Sequence, residues 1–169
     1  MTLITALAPD EVLIFGSNRQ GHHGAGLAGL ACRGTAANTW RTDEWFLRAM
    51  KAPVGSQDRI GKWAVYGVGR GWQRGREGMS YAIQTIERPG LKRSTPLMDI
   101  EDQLVDLFEY AVDYAGFRFL MTPIGAGLSG WTAAEMEATL ADAIKRWGQI
   151  PSNVVIPPDL YGTVQWKDT

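Results

Sequence analysis

Five glycines between residues 16 and 29 limit how the chain around them can fold. They follow an apolar run at residues 12–15, which has the length of one buried strand. They precede apolar residues at helical spacing that predict a helix over residues 25–35. The glycines therefore lie on a turn between a strand and a helix. Such a turn presents main-chain N–H groups and the positive end of a helix to the crevice beyond the strand.

A turn of this kind favours an anion, most often a phosphate. Glycine lacks a Cβ atom, so the main chain can approach a ligand closely. The alternative is that the glycines only allow a tight turn, because an isolated glycine-rich turn is a weak functional signal.

A second glycine-rich segment favours the phosphate interpretation. Residues 117–122 predict a strand and residues 123–131 are rich in glycine. Thr132 and Glu135 then have the spacing of a capping box at the start of a helix. If the two strands are neighbours in one parallel sheet, both loops open at the same edge and could hold the two ends of one diphosphate.

The rest of the chain alternates strands and helices. Strands are predicted at residues 62–66, 79–85 and 153–156, and helices at residues 42–51, 99–115 and 132–147, with Asp99 capping the second of these helices. Residues 67–78 alternate glycine with bulky and basic side chains, which predicts a surface loop or flap. The alternation predicts an α/β fold with a mostly parallel sheet covered by helices on both faces.

Composition narrows the class of protein. The 169 residues suffice for one domain, and 45% hydrophobic and 21% charged residues are typical of a soluble globular protein. The net charge of −1 argues against general electrostatic binding to nucleic acid. No apolar run approaches a membrane span, and the N-terminus lacks a signal-peptide pattern. Because Cys32 is the only cysteine, an internal disulfide is excluded, and we expect a cytoplasmic protein with no membrane partner.

Three segments together resemble a known family. They resemble, in order along the chain, the signature segments of a macrodomain-like family of bacteria and phages. The three segments are IFGSNRQGHHGAGLAGLA (residues 14–31), VYGVGRGWQRGREGMSYAIQT (residues 65–85) and TPIGAGLSGW (residues 122–131). The resemblance implies one domain over residues 1–169, a three-layer α/β/α sandwich, with residues 36–61 as an insertion. It also implies binding of ADP-ribose or a related adenine diphosphate nucleotide. Some members of the family hydrolyse ADP-ribosyl adducts or ADP-ribose phosphate.

The resemblance assigns roles to individual residues. Asn18 matches the asparagine that contacts the distal ribose, and residues 24–26 match the glycines of the first loop. Residues 125–130 match the diphosphate loop, and Trp131 matches an aromatic residue that packs against ribose or phosphate. An asparagine amide can donate to and accept from sugar hydroxyls, which agrees with the first assignment.

The chain departs from the hydrolytic members at the first helix. They carry an aspartate soon after the first glycines, whereas residues 27–29 here are Leu-Ala-Gly, and a lysine common near the helix start is also missing. His23 is the remaining candidate for acid–base chemistry, because a loop histidine beside a phosphate can exchange a proton. Its other two interpretations are ligand contact and a structural hydrogen bond. Two adjacent histidines without a cysteine or acidic partner predict no metal site.

The predicted catalytic residues are Asn18 and His23. The predicted ligand-binding residues are Gly16, Ser17, Asn18, Gly21, His22, Gly24, Ala25, Gly26, Ser80, Tyr81, Gly125, Ala126, Gly127, Leu128, Ser129, Gly130 and Trp131. Ser80 and Tyr81 follow the flap and are expected to line the pocket floor, with a core position as the alternative for Tyr81.

The predicted partner is an ADP-ribose-type nucleotide, free or attached to a protein or nucleic acid, and no cofactor is predicted. Two other functions stay open. One is a non-catalytic reader or sponge for a nucleotide signal. The other is a nucleic-acid-binding module that uses the basic flap at residues 59–76, where basic and aromatic side chains interleave.

Overall fold

The computed structural model describes residues 4–24, 26–35 and 42–162. Within these residues the chain is an α/β protein with one five-stranded sheet and four α-helices. The strands are β1 Glu11–Asn18, β2 Gly71–Arg74, β3 Met79–Ile86, β4 Arg118–Leu120 and β5 Val154–Val155. The helices are α1 Gly26–Arg33, α2 Glu44–Lys51, α3 Leu97–Asp113 and α4 Ala133–Trp147. No helix in these ranges is long and apolar enough to cross a bilayer.

Strand β1 lies at the centre of the sheet, whose order is β2-β3-β1-β4-β5. It pairs in parallel with β3 and with β4, β4 pairs in parallel with β5, and only β2 is antiparallel to its neighbour. The predicted α/β class and mostly parallel sheet are therefore confirmed. The carboxyl ends of β3, β1 and β4 lie at one edge, which is where the loops after β1 and β4 begin.

The side chains of β1 alternate between two core clusters. Val12 and Ile14 pack with residues of α3 and α4. Leu13 and Phe15 pack with α1 and with Trp63. The four β1 residues have no exposed surface, and this explains why their sequence is a continuous apolar run rather than an alternating one.

Two helix predictions depend on local hydrogen bonds, and both are confirmed. Glu135 N donates to Thr132 Oγ1 at 3.0 Å and Thr132 N donates to Glu135 Oε1 at 3.1 Å, which is a complete capping box before α4. Helix α2, predicted over residues 42–51, begins after Asp43, whose carboxylate accepts from Phe46 N at 2.9 Å.

The predicted strand at residues 62–66 is wrong. The segment bends, and only Val65 forms an isolated bridge, to Ile60. Its amides are used elsewhere: Lys62 N donates to Cys32 O at 2.8 Å, and Ala64 N donates to Ala31 O at 3.0 Å. These bonds satisfy carbonyl groups at the C-terminal end of α1, which otherwise lack partners.

Two further predictions need correction. The segment at residues 67–78 is not all surface loop, because four of its residues form the edge strand β2. Asp99 does not cap α3, which already begins at Leu97. The Asp99 carboxylate instead accepts from Arg70 at 2.5 and 3.2 Å, so it ties α3 to the start of β2.

Strand β2 pairs only with residues 79–82 of β3, and a side chain from α3 forms the main-chain hydrogen bonds of β3 beyond them. Gln84 N donates to Gln103 Oε1 at 2.7 Å, and Gln103 Nε2 donates to Gln84 O at 2.8 Å. The amide of Gln103, on α3, therefore occupies the place of a neighbouring strand. Both groups are buried, so their hydrogen bonds cannot be replaced by water without opening the structure.

We expect Gln103→Leu to lower the free energy of unfolding by about 2–3 kcal/mol, because it leaves the amide and carbonyl of Gln84 without partners. Urea unfolding followed by circular dichroism measures this change. The matched control is Glu109→Gln on the exposed side of α3, for which we expect a change within about 0.5 kcal/mol. Equal unfolding midpoints for the two variants would contradict the role given to Gln103.

Candidate functional site at the carboxyl edge of the sheet

The two glycine loops meet at the carboxyl edge of the sheet. We call residues 16–26 the first glycine loop and residues 123–131 the second glycine loop. A Cβ atom placed on Gly16 would lie 3.7 Å from Gly125 N and 3.8 Å from Ile124 Cα. The second loop also reaches the end of β3, where the hydroxyls of Ser129 and Thr85 lie 2.6 Å apart. The two loops are therefore neighbours, as the sequence predicts.

The second glycine loop carries a run of unused main-chain donors. Within the described parts of the chain, the N–H groups of residues 125–129 donate to no acceptor. The loop is held at its ends instead, by Ile124 N donating to Thr122 O at 2.7 Å and Gly130 N donating to Gly127 O at 3.0 Å. Gly125 has a φ of +78°, which glycine adopts without strain. Consecutive unpaired N–H groups of this kind form concave anion sites.

Three main-chain donors of the first glycine loop are used within the loop itself. Gly21 N donates to Asn18 O at 3.0 Å, His23 N to Gly21 O at 3.0 Å, and Gly24 N to His22 O at 2.8 Å. These three amides are therefore not available to a diphosphate, and binding of a diphosphate by the rest of the first loop stays a prediction. Ala25 lies outside the described residues, and Gly26 begins α1.

Asn18, a predicted catalytic residue, fixes the first loop. Its Oδ1 accepts from His22 N at 3.0 Å and its Nδ2 donates to His22 O at 3.1 Å. The side chain is buried at the end of β1. A primary amide has two donors and two acceptor lone pairs, so one donor and one acceptor lone pair of Asn18 stay unused in these contacts.

Residues 67–70, which we call the strap, cover the first loop. Gly67 N donates to Gly21 O at 3.0 Å, and Ser17 Oγ donates to Gly69 O. A Cβ atom on Gly21 would collide with Val68 N, and one on Gly69 with the carbonyl of Asn18. Glycine at both positions allows the two main chains to touch.

His23, the other predicted catalytic residue, joins the first loop to the strap. The ring has 0% exposure, packs edge-on against Phe15 with centroids 5.2 Å apart, and places Nε2 2.9 Å from Val68 O. Burial lowers the pKa of His23 to about 4, so the ring is neutral at pH 7. Nε2 then carries the proton donated to Val68 O. These contacts favour the structural interpretation, and catalysis by His23 stays a prediction.

His22, in contrast, lies on the surface. Its ring stacks on Tyr66 with centroids 5.4 Å apart and planes 2° apart, and the Arg59 guanidinium lies 5.4 Å from the same tyrosine ring. Partial burial and the positive charge of Arg59 lower the pKa of His22. The imidazole is thus held in a fixed orientation beside the first loop.

Ser80 and Tyr81 do not lie at this edge. Ser80 is fully buried and donates to Trp63 O at 2.7 Å, and Tyr81 packs against Tyr110 in the core. Ser80 precedes Thr85 by five residues, or about 17 Å along the strand. The core alternative is confirmed for Tyr81, and the expectation that Ser80 lines the pocket floor is wrong.

The loop between β3 and α3 contributes residues that the sequence analysis missed. Arg93 N donates to Ser129 O at 2.7 Å, and the Arg93 guanidinium lies 4.4 Å from the centre of the Trp131 ring. Arg88 and Lys92 are exposed in the same loop and form no ion pair within the described residues. The sequence does contain a signal for these residues, because a basic segment directly follows β3, which is one of the three strands that end at this edge.

A cavity of about 540 Å³ lies elsewhere, between the end of α1 and the start of α2. Its lining includes both acidic and basic side chains, among them Arg33, Glu44 and Lys62. Across the described residues, no three His, Cys, Asp or Glu side chains are grouped so that they could hold a metal ion. A scan against models of known protein families and a search of curated protein sequences found no match to this chain.

The low pKa of His23 predicts a pH dependence of stability. The folded state has a pKa of about 4 and the unfolded state one near the ordinary 6.5, so the unfolded chain binds more protons between these values. The free energy of unfolding has its full value above pH 6.5. It decreases as the pH falls from 6.5 to 4, by at most about 3 kcal/mol in total. Urea unfolding between pH 4.5 and 7 measures this slope.

We expect His23→Gln to flatten this slope, because the amide can still donate to Val68 O but does not titrate. His22→Gln is the matched control and should keep most of the slope, since that ring is exposed. Identical slopes for wild type and His23→Gln would show that another group causes the pH dependence.

Proposed function

We propose that this chain binds ADP-ribose or a related adenine diphosphate nucleotide at the carboxyl edge of its sheet. The observation that carries the proposal is the run of unused N–H groups at residues 125–129. A diphosphate presents several anionic oxygens within a few ångströms, and it can accept hydrogen bonds from successive amides of one loop. The choice of ADP-ribose comes from the resemblance of three sequence segments to macrodomain-like proteins.

The arrangement of elements supports the same proposal. The core cluster with α1 and the cluster with α3 and α4 use alternate residues of β1, and we interpret this as the three-layer α/β/α sandwich of a macrodomain. Open α/β sheets bind nucleotides at the carboxyl ends of their strands, where the glycine loops of this chain meet. Arg88 and Lys92 add positive charge beside the second loop.

Binding without hydrolysis is better supported than catalysis. His23 is neutral and fully enclosed, and its Nε2 is occupied by Val68 O. Residues 27–29, where hydrolytic relatives carry an acid, contain none. A general base must reach the proton that it removes. The interpretation as a reader or sponge is therefore our preferred form of the proposal, and hydrolysis of ADP-ribosyl adducts is its alternative.

The nucleic-acid alternative has weaker support. Several basic side chains between residues 59 and 76 are engaged within the chain itself. Arg59 Nε donates to Ala52 O at 2.8 Å, and Arg76 Nη2 donates to Gln57 O at 2.9 Å. Arg70 pairs with Asp99. These contacts compete with phosphates for the same donors.

Isothermal calorimetry with ADP-ribose tests the proposal. We expect saturable binding with one site per chain, and incubation over hours with an ADP-ribosylated peptide should release no ADP-ribose. Absence of heat at about 1 mM nucleotide would limit the binding free energy to about 4 kcal/mol and would contradict the proposal. Release of ADP-ribose would favour the hydrolase alternative.

The second loop provides a mutational test. We expect Gly125→Ala to weaken ADP-ribose binding at least tenfold, because φ is +78° and the new Cβ would lie 2.5 Å from Met136 Sδ in the core. The unfavourable φ and the collision with Met136 both displace the main-chain N–H groups of the second glycine loop. Calorimetry measures the affinity, and thermal unfolding measures the accompanying loss of stability.

Gly55→Ala is the matched control, since Gly55 also has a positive φ of +85° but has no neighbour within 4 Å of its Cβ position. It shares the backbone cost of about 1 kcal/mol and should leave the affinity unchanged. An equal loss of binding in both variants would mean that general destabilisation, and not the second loop, is responsible.

A further inference from the structure

Arg93 has an unusual main-chain conformation next to the second glycine loop. Among the described non-glycine residues it alone has a positive φ, +57°. Left-handed backbone at such a residue costs roughly 1–3 kcal/mol and persists where the surroundings enforce it. Here Arg93 N donates to Ser129 O, and a Cβ atom on Gly130 would lie 2.8 Å from Lys92 Cβ. The main chain at residues 92–93 is thus packed directly on the loop that carries the unused amides.

The guanidinium of Arg93 is held from two sides. Its Nη1 and Nη2 donate to Glu135 Oε1 and Oε2 at 3.2 and 2.8 Å, and its plane lies over the Trp131 ring. Arginine has five N–H donors in a rigid plane. Glu135 occupies the fork formed by the two terminal nitrogens. The second fork, formed by Nε–H and the remaining Nη2–H, has no acceptor within the described residues.

This second fork has the geometry that binds a phosphate through two oxygens. The arginine side chain is half exposed. Fixing the plane against Trp131 and Glu135 removes rotamer freedom before a ligand arrives, which reduces the entropy cost of binding. A structural tie to Glu135 alone would not require the left-handed main chain of Arg93.

We propose that Arg93 binds one phosphate of the nucleotide through Nε–H and Nη2–H, beside the amides of residues 125–129. This inference rests on the proposed function, because it takes the diphosphate of that nucleotide as the ligand. Arg93 is then the specificity-determining cation of the site, and it selects a ligand with a phosphate at this position. Glu135 positions the guanidinium and does not contact the ligand.

The test compares Arg93→Asn, Arg93→Lys and Glu135→Gln by calorimetry with ADP-ribose and with inorganic pyrophosphate. Asparagine tolerates a positive φ, so Arg93→Asn removes the guanidinium with little change in the main chain. We expect it to weaken binding of both ligands at least tenfold. Lysine keeps the charge but lacks the fork, so Arg93→Lys should recover only part of the affinity.

Glu135→Gln separates a ligand contact from a structural tie. Glutamine can still complete the capping box, while the pairing with Arg93 is weakened. If Arg93 binds phosphate, this variant should lose much less affinity than Arg93→Asn, because the neutral amide can still accept one hydrogen bond from the guanidinium and the Trp131 ring still supports its plane. If Arg93 only ties its loop to α4, both variants should lose affinity together, and the inference would be wrong.

Arg118→Gln is the control for charge. Arg118 has a similar exposure and a similar ion pair, with Glu11 at 3.3 Å, at the opposite end of the parallel strands. It should change the affinity less than twofold. Normal affinity of Arg93→Asn would overturn this inference and leave the proposed function intact.

The two ligands keep the two proposals separable. Wild-type protein that binds pyrophosphate through Arg93 but does not bind ADP-ribose would overturn the proposed function and retain the phosphate contact. Wild-type protein that binds neither ligand would overturn both.

Discussion

Parallel pairing of β1 with β3 on one side and β4 on the other is the constraint on which the candidate site depends. Three consecutive strands of the sheet end at one edge, so the segments that follow them must share one region of the surface. Gly16 then allows the second loop to cross close to β1, and the hydroxyls of Ser129 and Thr85 join that loop to β3. Without this pairing, the two glycine-rich segments would be unrelated turns.

The two glycine loops have different physical roles, although their sequences look alike. In the first loop, Gly21, His23 and Gly24 bond their amides within the loop, Asn18 closes it and the strap covers it, so its glycines serve close packing of main chains. The second loop is fixed at its ends and leaves the donors between them unpaired. Preorganised donors of this kind need no rearrangement when an anion arrives, and this is why the second loop carries the functional proposal.

The sequence predicted the elements whose signals are local. A continuous apolar run predicted β1, and the spacing of Thr132 and Glu135 predicted the start of α4. Residues 62–66 resemble a strand, but their amides complete the end of α1, a partner that no local pattern reveals. Ser80 was placed near the ligand because it follows the flap, yet its position along β3 puts it far from the loops. Arg93 was missed because its importance depends on Ser129 and Glu135, which are distant in sequence.

The Gln103 side chain has a consequence for association between molecules. A strand edge with unpaired amide and carbonyl groups is a template on which another polypeptide can add. Strand β2 is short and leaves the last part of β3 without a strand on that side. By bonding both polar groups of Gln84, Gln103 closes that opening with a helix-borne amide. The same contact that completes the sheet therefore protects the protein against edge-to-edge aggregation next to its proposed ligand site.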